Sequence, residues 1–334
     1  MNKIIRIATI TTLVASLIIT QTACSSEVKP VSKDNYFLDT ACNISVYEGE
    51  NPEKAIDAAY NLCAELDKTL SKTVAVSDIS KINNSNGDWV AVSDYTIELL
   101  EKGIEYSELS DGQFDITVGG ITGQWDFHAV DPVLPNEDEL ANAARHINYS
   151  SVQIDGNMVC LTDPKAQIDL GGIAKGYIGD KMVEVLEENG VTSGIVNLGG
   201  NIICIGAKPN SEGFTIGVEA PFSDRTEIVG STEVADKTLV TSGVYERMFE
   251  IDGKIYHHIL DTKTGWPVDS DLNSITLVAD KGHSADCDAM STICLIKGYA
   301  EAKKYIESQD GIEAVFILKD GSVKTTDGMQ FKKA

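Results

Sequence analysis

Gln167-Ile168-Asp169-Leu170-Gly171-Gly172-Ile173-Ala174-Lys175-Gly176-Tyr177 is the stretch on which the reading of this chain turns. Residues 167–170 read as a short strand, the glycine pair as a junction, and the residues beyond as a helix with Lys175 in its first turn. That helix carries Ile178, Met182, Val185 and Leu186 on one face and stops at Asn189-Gly190. A strand therefore delivers the Asp169 carboxylate, the glycines bring bare backbone up to a ligand, and the helix start adds partial positive charge. Such a junction can cradle a pyrophosphate. A glycine-eased turn with a surface lysine has the same pattern. Neither GxxxxGK[ST] nor GxGxxG occurs, so the stretch is not a P-loop or a dinucleotide fingerprint.

Outward from this junction, strand and helix signals alternate. Asn43 to Tyr47 alternates like a strand, and Pro52 to Leu70 places Ile56, Ala59, Cys63, Leu66 and Leu70 at helical spacing. Ser93-Asp94 caps a helix through Leu109, ending at Ser110-Asp111-Gly112. Val152 to Val159 reads as a hairpin turning at Asp155-Gly156-Asn157. Two short apolar strands flank Asn197-Leu198-Gly199-Gly200-Asn201, and the last third mixes strands with helices near 285–296 and 299–309. The class is α+β: a body of mixed, largely antiparallel sheet with packed helices, in one large domain or two intimately packed lobes.

The N-terminus reads as an address. Lys3 and Arg6 precede an apolar run from Ile7 to Ile19, then Thr20-Gln21-Thr22-Ala23-Cys24. A basic stretch, an apolar core and a small residue before the cut make a secretory signal over 1–23, and Cys24 gives it the lipoprotein form. Residues 24–34 are then a polar tether and 35–334 the body. Without Lys3 and Arg6 the net charge of −24 becomes about −26, a body that repels nucleic acid. The six cysteines after Cys24 are scattered, form no CxxC pair and sit in apolar runs, which reads as buried free thiols.

Three further segments carry chemistry. In Ser284-Ala285-Asp286-Cys287-Asp288-Ala289-Met290-Ser291-Thr292, Asp288 and Thr292 are four apart and share a helix face. A carboxylate beside a hydroxyl is hard-oxygen ligation of the kind Mg²⁺ prefers; an acidic first turn that complements the helix dipole is the plainer account. In Tyr256-His257-His258-Ile259-Leu260-Asp261-Thr262, a histidine that can move a proton near neutral pH leads an apolar pair. Upstream, Arg247 stands where a guanidinium can meet a phosphate. In Asp111-Gly112-Gln113-Phe114-Asp115-Ile116-Thr117, backbone near Gly112 and Phe114 can read the edge of a flat ring, or a helix simply exits into a strand, with Trp125 as core.

Taken together and in order, these segments resemble the ApbE family of FAD:protein FMN transferases. The resemblance runs from about Phe37 to Lys319 and rests on DGQFDITVGG, QIDLGGIAKGY, GIVNLGGNI, TSGVYERMFE, HHILDTKTG and DCDAMST. It implies an ApbE-type (T-fold-like) body that binds FAD and Mg²⁺, cleaves the pyrophosphate, moves FMN to a threonine or serine hydroxyl of a target protein and releases AMP. By similarity, Asp169, Lys175 and the stretch Gln113, Phe114 and Asp115 contact FAD, with Leu38 and Ile259 beside the flavin. Asp288 and Thr292 match the metal ligands together with the main-chain oxygen of Gly172, and Ser291 can add an oxygen. His258 is the choice for proton transfer, with Asp288 the other candidate base.

The chain departs from the family pattern at Leu38-Asp39-Thr40, where a Met-Gly-Thr start is usual, and at Asp261-Thr262, usually Asp-Pro. At Lys72-Thr73 an aromatic residue usually follows the Leu-Ser pair. The implied acceptors are extracytoplasmic redox proteins, reached from a lipid anchor on the outer face of the cell membrane. The same ligands would serve a Mg²⁺-dependent FAD pyrophosphatase that yields FMN and AMP, and a non-catalytic flavin-carrying lipoprotein is the third reading.

Overall fold

The computed structural model describes residues 28–223 and 227–334. The leader expected at 1–23, Cys24 and the first residues of the tether lie outside them. The tether gives way to sheet early, because strand β1 (Val31–Phe37) starts before residue 34 and pairs with β2 (Thr40–Glu48) through a turn in which Leu38 and Asp39 both take positive φ.

Helix α1 (Pro52–Leu70) opens on proline and buries Ile56, Ala59, Cys63, Leu66 and Leu70, the residues its spacing places on one face. A short α2 (Asp78–Asn83) and β3 (Val90–Ala91) lead to α3 (Asp94–Leu109), whose Ser93 cap accepts from the Thr96 N–H as the sequence predicts. Then come α4 (Gly119–Thr122), α5 (Glu137–Ala144) and the hairpin β4 (Val152–Asp155) and β5 (Met158–Leu161). Helix α6 (Ala174–Glu188) precedes β6 (Ser193–Leu198), β7 (Asn201–Ile205), β8 (Phe214–Glu219), β9 (Ile228–Val234) and β10 (Lys237–Gly243). The hairpin β11 (Met248–Ile251) and β12 (Lys254–His257) is followed by β13 (Leu272–Asp280), α7 (Ser284–Lys297) and α8 (Tyr299–Glu307). The chain closes with β14 (Glu313–Leu318), β15 (Val323–Thr325) and β16 (Lys332–Lys333).

The main sheet runs β1-β2-β6-β7-β10-β13-β14-β15, so spatial order follows chain order and the segments between strands are excursions. All its ladders are antiparallel. Its two faces feed two cores, because successive side chains of a strand point to opposite sides. Ile275, Leu277, Ala314 and Phe316 join the large core that includes α1, α6 and α7, whereas Leu239 and Val278 pack with Phe214 and Ile216 of the β16-β9-β8 sheet. Strands buried on both sides read as continuous apolar runs, which is why alternation alone did not reveal the layers.

Two local expectations fail. Residues 167–170 are not a strand, since only an isolated bridge joins Val118 and Gln167. Asn83 instead ties Ile168 at both its N–H (2.7 Å) and its C=O (2.9 Å), and Asp169 N donates to Ile116 O (2.8 Å). Nor does the chain enter a strand after Phe114. The Asp115 carboxylate takes the N–H groups of Thr117 (2.8 Å) and Tyr149 (2.9 Å), and that side-chain wiring replaces a ladder. All six described cysteines are free and buried, as read from their apolar surroundings. Among the described residues no helix is long and apolar enough to cross a membrane.

Candidate active site

Helices α6 and α7 meet at their N-termini, and neither is capped by its own N-cap side chain. Each is capped by the other. Asp288, only 3% exposed, accepts the Gly176 N–H at 2.9 Å, while Asp180 accepts the N–H groups of Ser284 (3.1 Å) and Ala285 (3.0 Å). The approach is possible because residue 176 is glycine: a Cβ there would collide with the Ser284 carbonyl. Asp286, by contrast, is spent on structure, bonded to Tyr106 (2.8 Å), Lys102 and His283 (2.9 Å). The spacing of the segment thus carries both accounts at once: the charged first turn belongs to Asp286 and the site to Asp288.

Around Asp288 the structure gathers several of the expected residues. Gly172 sits between the Phe114 ring and the Thr292 hydroxyl, for a Cβ on it would lie 3.0 Å from Phe114 Cε2 and 3.7 Å from Thr292 Oγ1. Burial raises the Asp288 carboxyl above the usual range, opposed by the Lys175 charge and the Gly176 N–H. Lys175 also acts on His258 and on Glu246, a carboxylate to which the sequence reading gave no role. Glu246 is open to solvent on one side, yet the protein packed round it, and the Asp288 charge, raise its carboxyl against the pull of Lys175.

His258 follows β12, its ring edge-on to Phe127 at 6.5 Å between centroids. Its Nδ1 lies 3.3 Å from the Arg247 carbonyl. A carbonyl only accepts, so Nδ1 carries the proton and Nε2 keeps a free lone pair. Burial, then the Arg247 charge, pushes its pKa down to about 3, so the ring is neutral. Arg247 therefore shapes the histidine as well as offering a guanidinium. Ile259 is buried next to it, and Trp125 is core, its indole N–H on the Gly265 carbonyl at 2.9 Å.

The other expected contacts separate into two kinds. The buried Gln113 Oε1 has no hydrogen-bond partner among the described residues and awaits one. Leu38 lies in the β1–β2 turn, and the next residue but one, Thr40, abuts Gly199, where a Cβ would strike it. Asp115 spends both oxygens on Thr117 and Tyr149 and so builds the loop that carries Phe114. Asp169 is held by Lys72 (2.8 Å), Thr122 (2.5 Å) and the Gly171 N–H (2.9 Å). Burial would raise its carboxyl, but the Lys72 charge and these bonds keep it below the usual range. In the sequence Lys72 only stands where an aromatic residue is usual; a lysine two residues after Leu70, the last buried position of α1, gives no hint of a partner 97 residues on. Ser291 does not face the site: its hydroxyl bonds Ser242 Oγ (2.7 Å) and the Asp288 carbonyl (2.8 Å).

The donors that meet here are one carboxylate, one hydroxyl and the Gly172 backbone. Among the described residues no three His, Cys, Asp or Glu side chains come together as a metal cluster. A set this sparse and this hard in character fits a Mg²⁺-class cation that keeps positions for water and phosphate oxygens, and does not fit zinc.

Known proteins place the chain. "FAD:protein FMN transferase" of Treponema pallidum (strain Nichols) is 29% identical to it over 323 residues, covering 91% of this chain and 89% of that one. The protein of the same name from Klebsiella pneumoniae (strain 342) is 30% identical over 274 residues, covering 81% and 84%. The crystal structure of the ApbE protein of Thermotoga maritima superposes with a TM-score of 0.81 at 29% identity, over 90% of this chain and 97% of that one. The apo form of the flavinyl transferase ApbE of Pseudomonas stutzeri gives 0.78 at 26% identity, over 90% and 95%. With the family model matching residues 38–316, and a fold that agrees with it, this chain belongs to the ApbE family.

Proposed function

We propose that the chain is a Mg²⁺-dependent FAD:protein FMN transferase that acts on extracytoplasmic proteins from a lipid anchor at Cys24. The observation that carries the reading is the junction of Asp288, Thr292, Gly172 and the first turn of α6 around one point. A diphosphate laid there meets backbone N–H groups and the positive end of α6, with the Lys175 ammonium beside it. A cation bound by Asp288, Thr292 and the Gly172 carbonyl would neutralise the charge that develops on the phosphates.

In the reaction, a serine or threonine hydroxyl of the acceptor attacks the phosphorus on the FMN side. The new P–O bond forms, the bridging P–O bond breaks, AMP leaves with the bridging oxygen, and the hydroxyl proton passes to a base. His258 suits that task by geometry, since its tautomer leaves Nε2 free, and the negative charge of a bound diphosphate would raise its proton affinity from the depressed value that burial and the Arg247 charge give it. Asp288, already bonded to Gly176, is better fitted to ligation. Gln113 and the Phe114 ring would meet the flavin half, with Leu38 and Ile259 as apolar wall. Cys24 falls outside the described residues, and the leader sequence alone supports the anchor.

Mass spectrometry of a candidate acceptor after incubation with the chain, FAD and Mg²⁺ should show the added mass of FMN on a serine or threonine. Free FMN and AMP with no adduct would instead establish a pyrophosphatase, and FAD left whole would leave only a carrier. Asp288→Ala should abolish the adduct. Cys24→Ser should release the protein from the membrane fraction, and retention there would remove the anchor.

A further inference from the structure

The Asn197-Leu198-Gly199-Gly200-Asn201 turn ends in a residue for which the reaction above has no use. Asn201 is 1% exposed, and neither its Nδ2 nor its Oδ1 has a hydrogen-bond partner among the described residues. A buried amide left unpaired is costly, and natural proteins rarely leave one without a task.

The registers say what it faces. On β10, Thr238 Oγ1 bonds Ser284 Oγ (3.0 Å) at the start of α7, and Ser242 Oγ bonds Ser291 Oγ (2.7 Å) two turns later. Thr238, Val240 and Ser242 share one face of the strand, so the α7 residues above Val240 are those midway between Ser284 and Ser291, at Asp288. Asn201 is the cross-strand partner of Val240 and points to that same face. It therefore lies on the floor of the sheet under the Asp288 carboxylate. It is close enough for its amide to favour the ionised carboxylate. Asp288 Oδ2 is already given to Gly176 N–H, which leaves the other oxygen to be oriented from below.

We propose that Asn201 is a positioning residue for the Asp288 cation site, its amide orienting the Asp288 carboxylate toward a bound divalent cation. This rests on the cation site of the proposed function. The strand turn supplies the placement, since Gly199 and Gly200 both take positive φ and the Thr241 N–H donates to Gly200 O at 3.2 Å. In this arrangement the amide already bears on the carboxylate without making a full hydrogen bond to it.

The test is calorimetric titration of Mg²⁺ into the full chain saturated with ADP, which carries the diphosphate of the substrate, with ADP alone as blank. Wild type, Asn201→Ala, the near-isosteric Asn201→Leu and Asp288→Ala are compared, along with the Tm of each metal-free protein. Asp288→Ala should lose the binding, and both Asn201 variants should raise the Mg²⁺ Kd about tenfold or more while their metal-free Tm stays at or above that of wild type. A Kd within twofold of wild type in both Asn201 variants overturns the proposal. A lower metal-free Tm with Kd retained means that the amide serves the fold alone, which also overturns it. If Asp288→Ala binds Mg²⁺ as wild type does, or wild type binds none, the cation site itself is wrong and the inference goes with it.

Discussion

Asp180 and Asp288 cap each other's helices: Asp180, on α6, takes the first N–H groups of α7, and Asp288, on α7, takes the Gly176 N–H at the start of α6. Two helix N-termini with partial positive charge are thereby brought to one place and held by two carboxylates. The first consequence is steric. Gly176→Ala must push the helices apart at the Ser284 carbonyl. Overpacking of this kind costs about 1–3 kcal/mol. Urea denaturation should show that loss together with reduced transferase activity. An alanine variant as stable and as active as wild type would show that the crossing tolerates a wider gap.

The second consequence is a pH dependence. Burial raises the Asp180 carboxyl from 3.8 to about 6. A carboxyl whose folded pKa exceeds its unfolded value lends stability that is full below about pH 4 and lost as pH rises through about 6. A shift of two units corresponds to on the order of 3 kcal/mol. His257, lowered to about 4 by burial, works in the opposite sense, losing its contribution as pH falls from 6.5. The net curve of the wild type hides both, so the stability difference between wild type and Asp180→Asn should be followed from pH 4 to pH 7. It should shift in favour of the asparagine variant as pH rises. A difference that stays constant with pH would show that Asp180 does not titrate in this window.

Lys72 is predicted to be the residue that keeps Asp169 ionised. Lys72→Ala leaves a half-buried carboxylate with Thr122 and the Gly171 N–H but no cation. Removing one partner of a partly buried pair should cost about 1–3 kcal/mol of stability, less than the 3–5 of a fully buried one. The apparent KM for FAD should rise more than kcat falls, and more so at low pH, where Asp169 would now protonate. A variant with wild-type KM at pH 6 would separate Asp169 from substrate binding.

The neutral state of His258 makes a third kind of prediction. With its pKa near 3, the acidic limb of kcat/KM in the wild type should not carry a transition at 6.5 that disappears in His258→Ala. The substitution should lower the transfer rate about 10²–10⁴-fold while FAD still binds, as expected for loss of a general base. Normal transfer would assign the proton to another group. A transition near 6.5 that the variant abolishes would mean that bound substrate lifts the histidine back to its ordinary range.

Much of this was legible in the chain. Helices α1, α3 and α6 followed from apolar spacing and from Ser93 and Asn189-Gly190, because helix period and capping are local properties. The hairpin at Asp155-Gly156-Asn157 followed from turn chemistry. The ordered signatures led to the family, and the Asp288 and Thr292 spacing to one helix face. Residues 167–170 misled because an extended, apolar segment looks like a strand whether a ladder or the Asn83 side chain holds it. Asp115 is implied beside FAD only by resemblance, and no local spacing shows that its oxygens wire the loop through Thr117 and Tyr149.

What the sequence by itself determined was the set of local periods, caps and turns, together with the residue types able to hold a diphosphate and a hard cation. The tertiary structure alone decided which of those residues share a site: that Asp288 rather than Asp286 faces the start of α6, that Lys72 meets Asp169, and that Asn201 lies beneath Asp288. The reason is physical. Spacing along the chain sets direction within one element, whereas burial, ion pairing and proton affinity depend on elements that are far apart in sequence and meet only when the core closes.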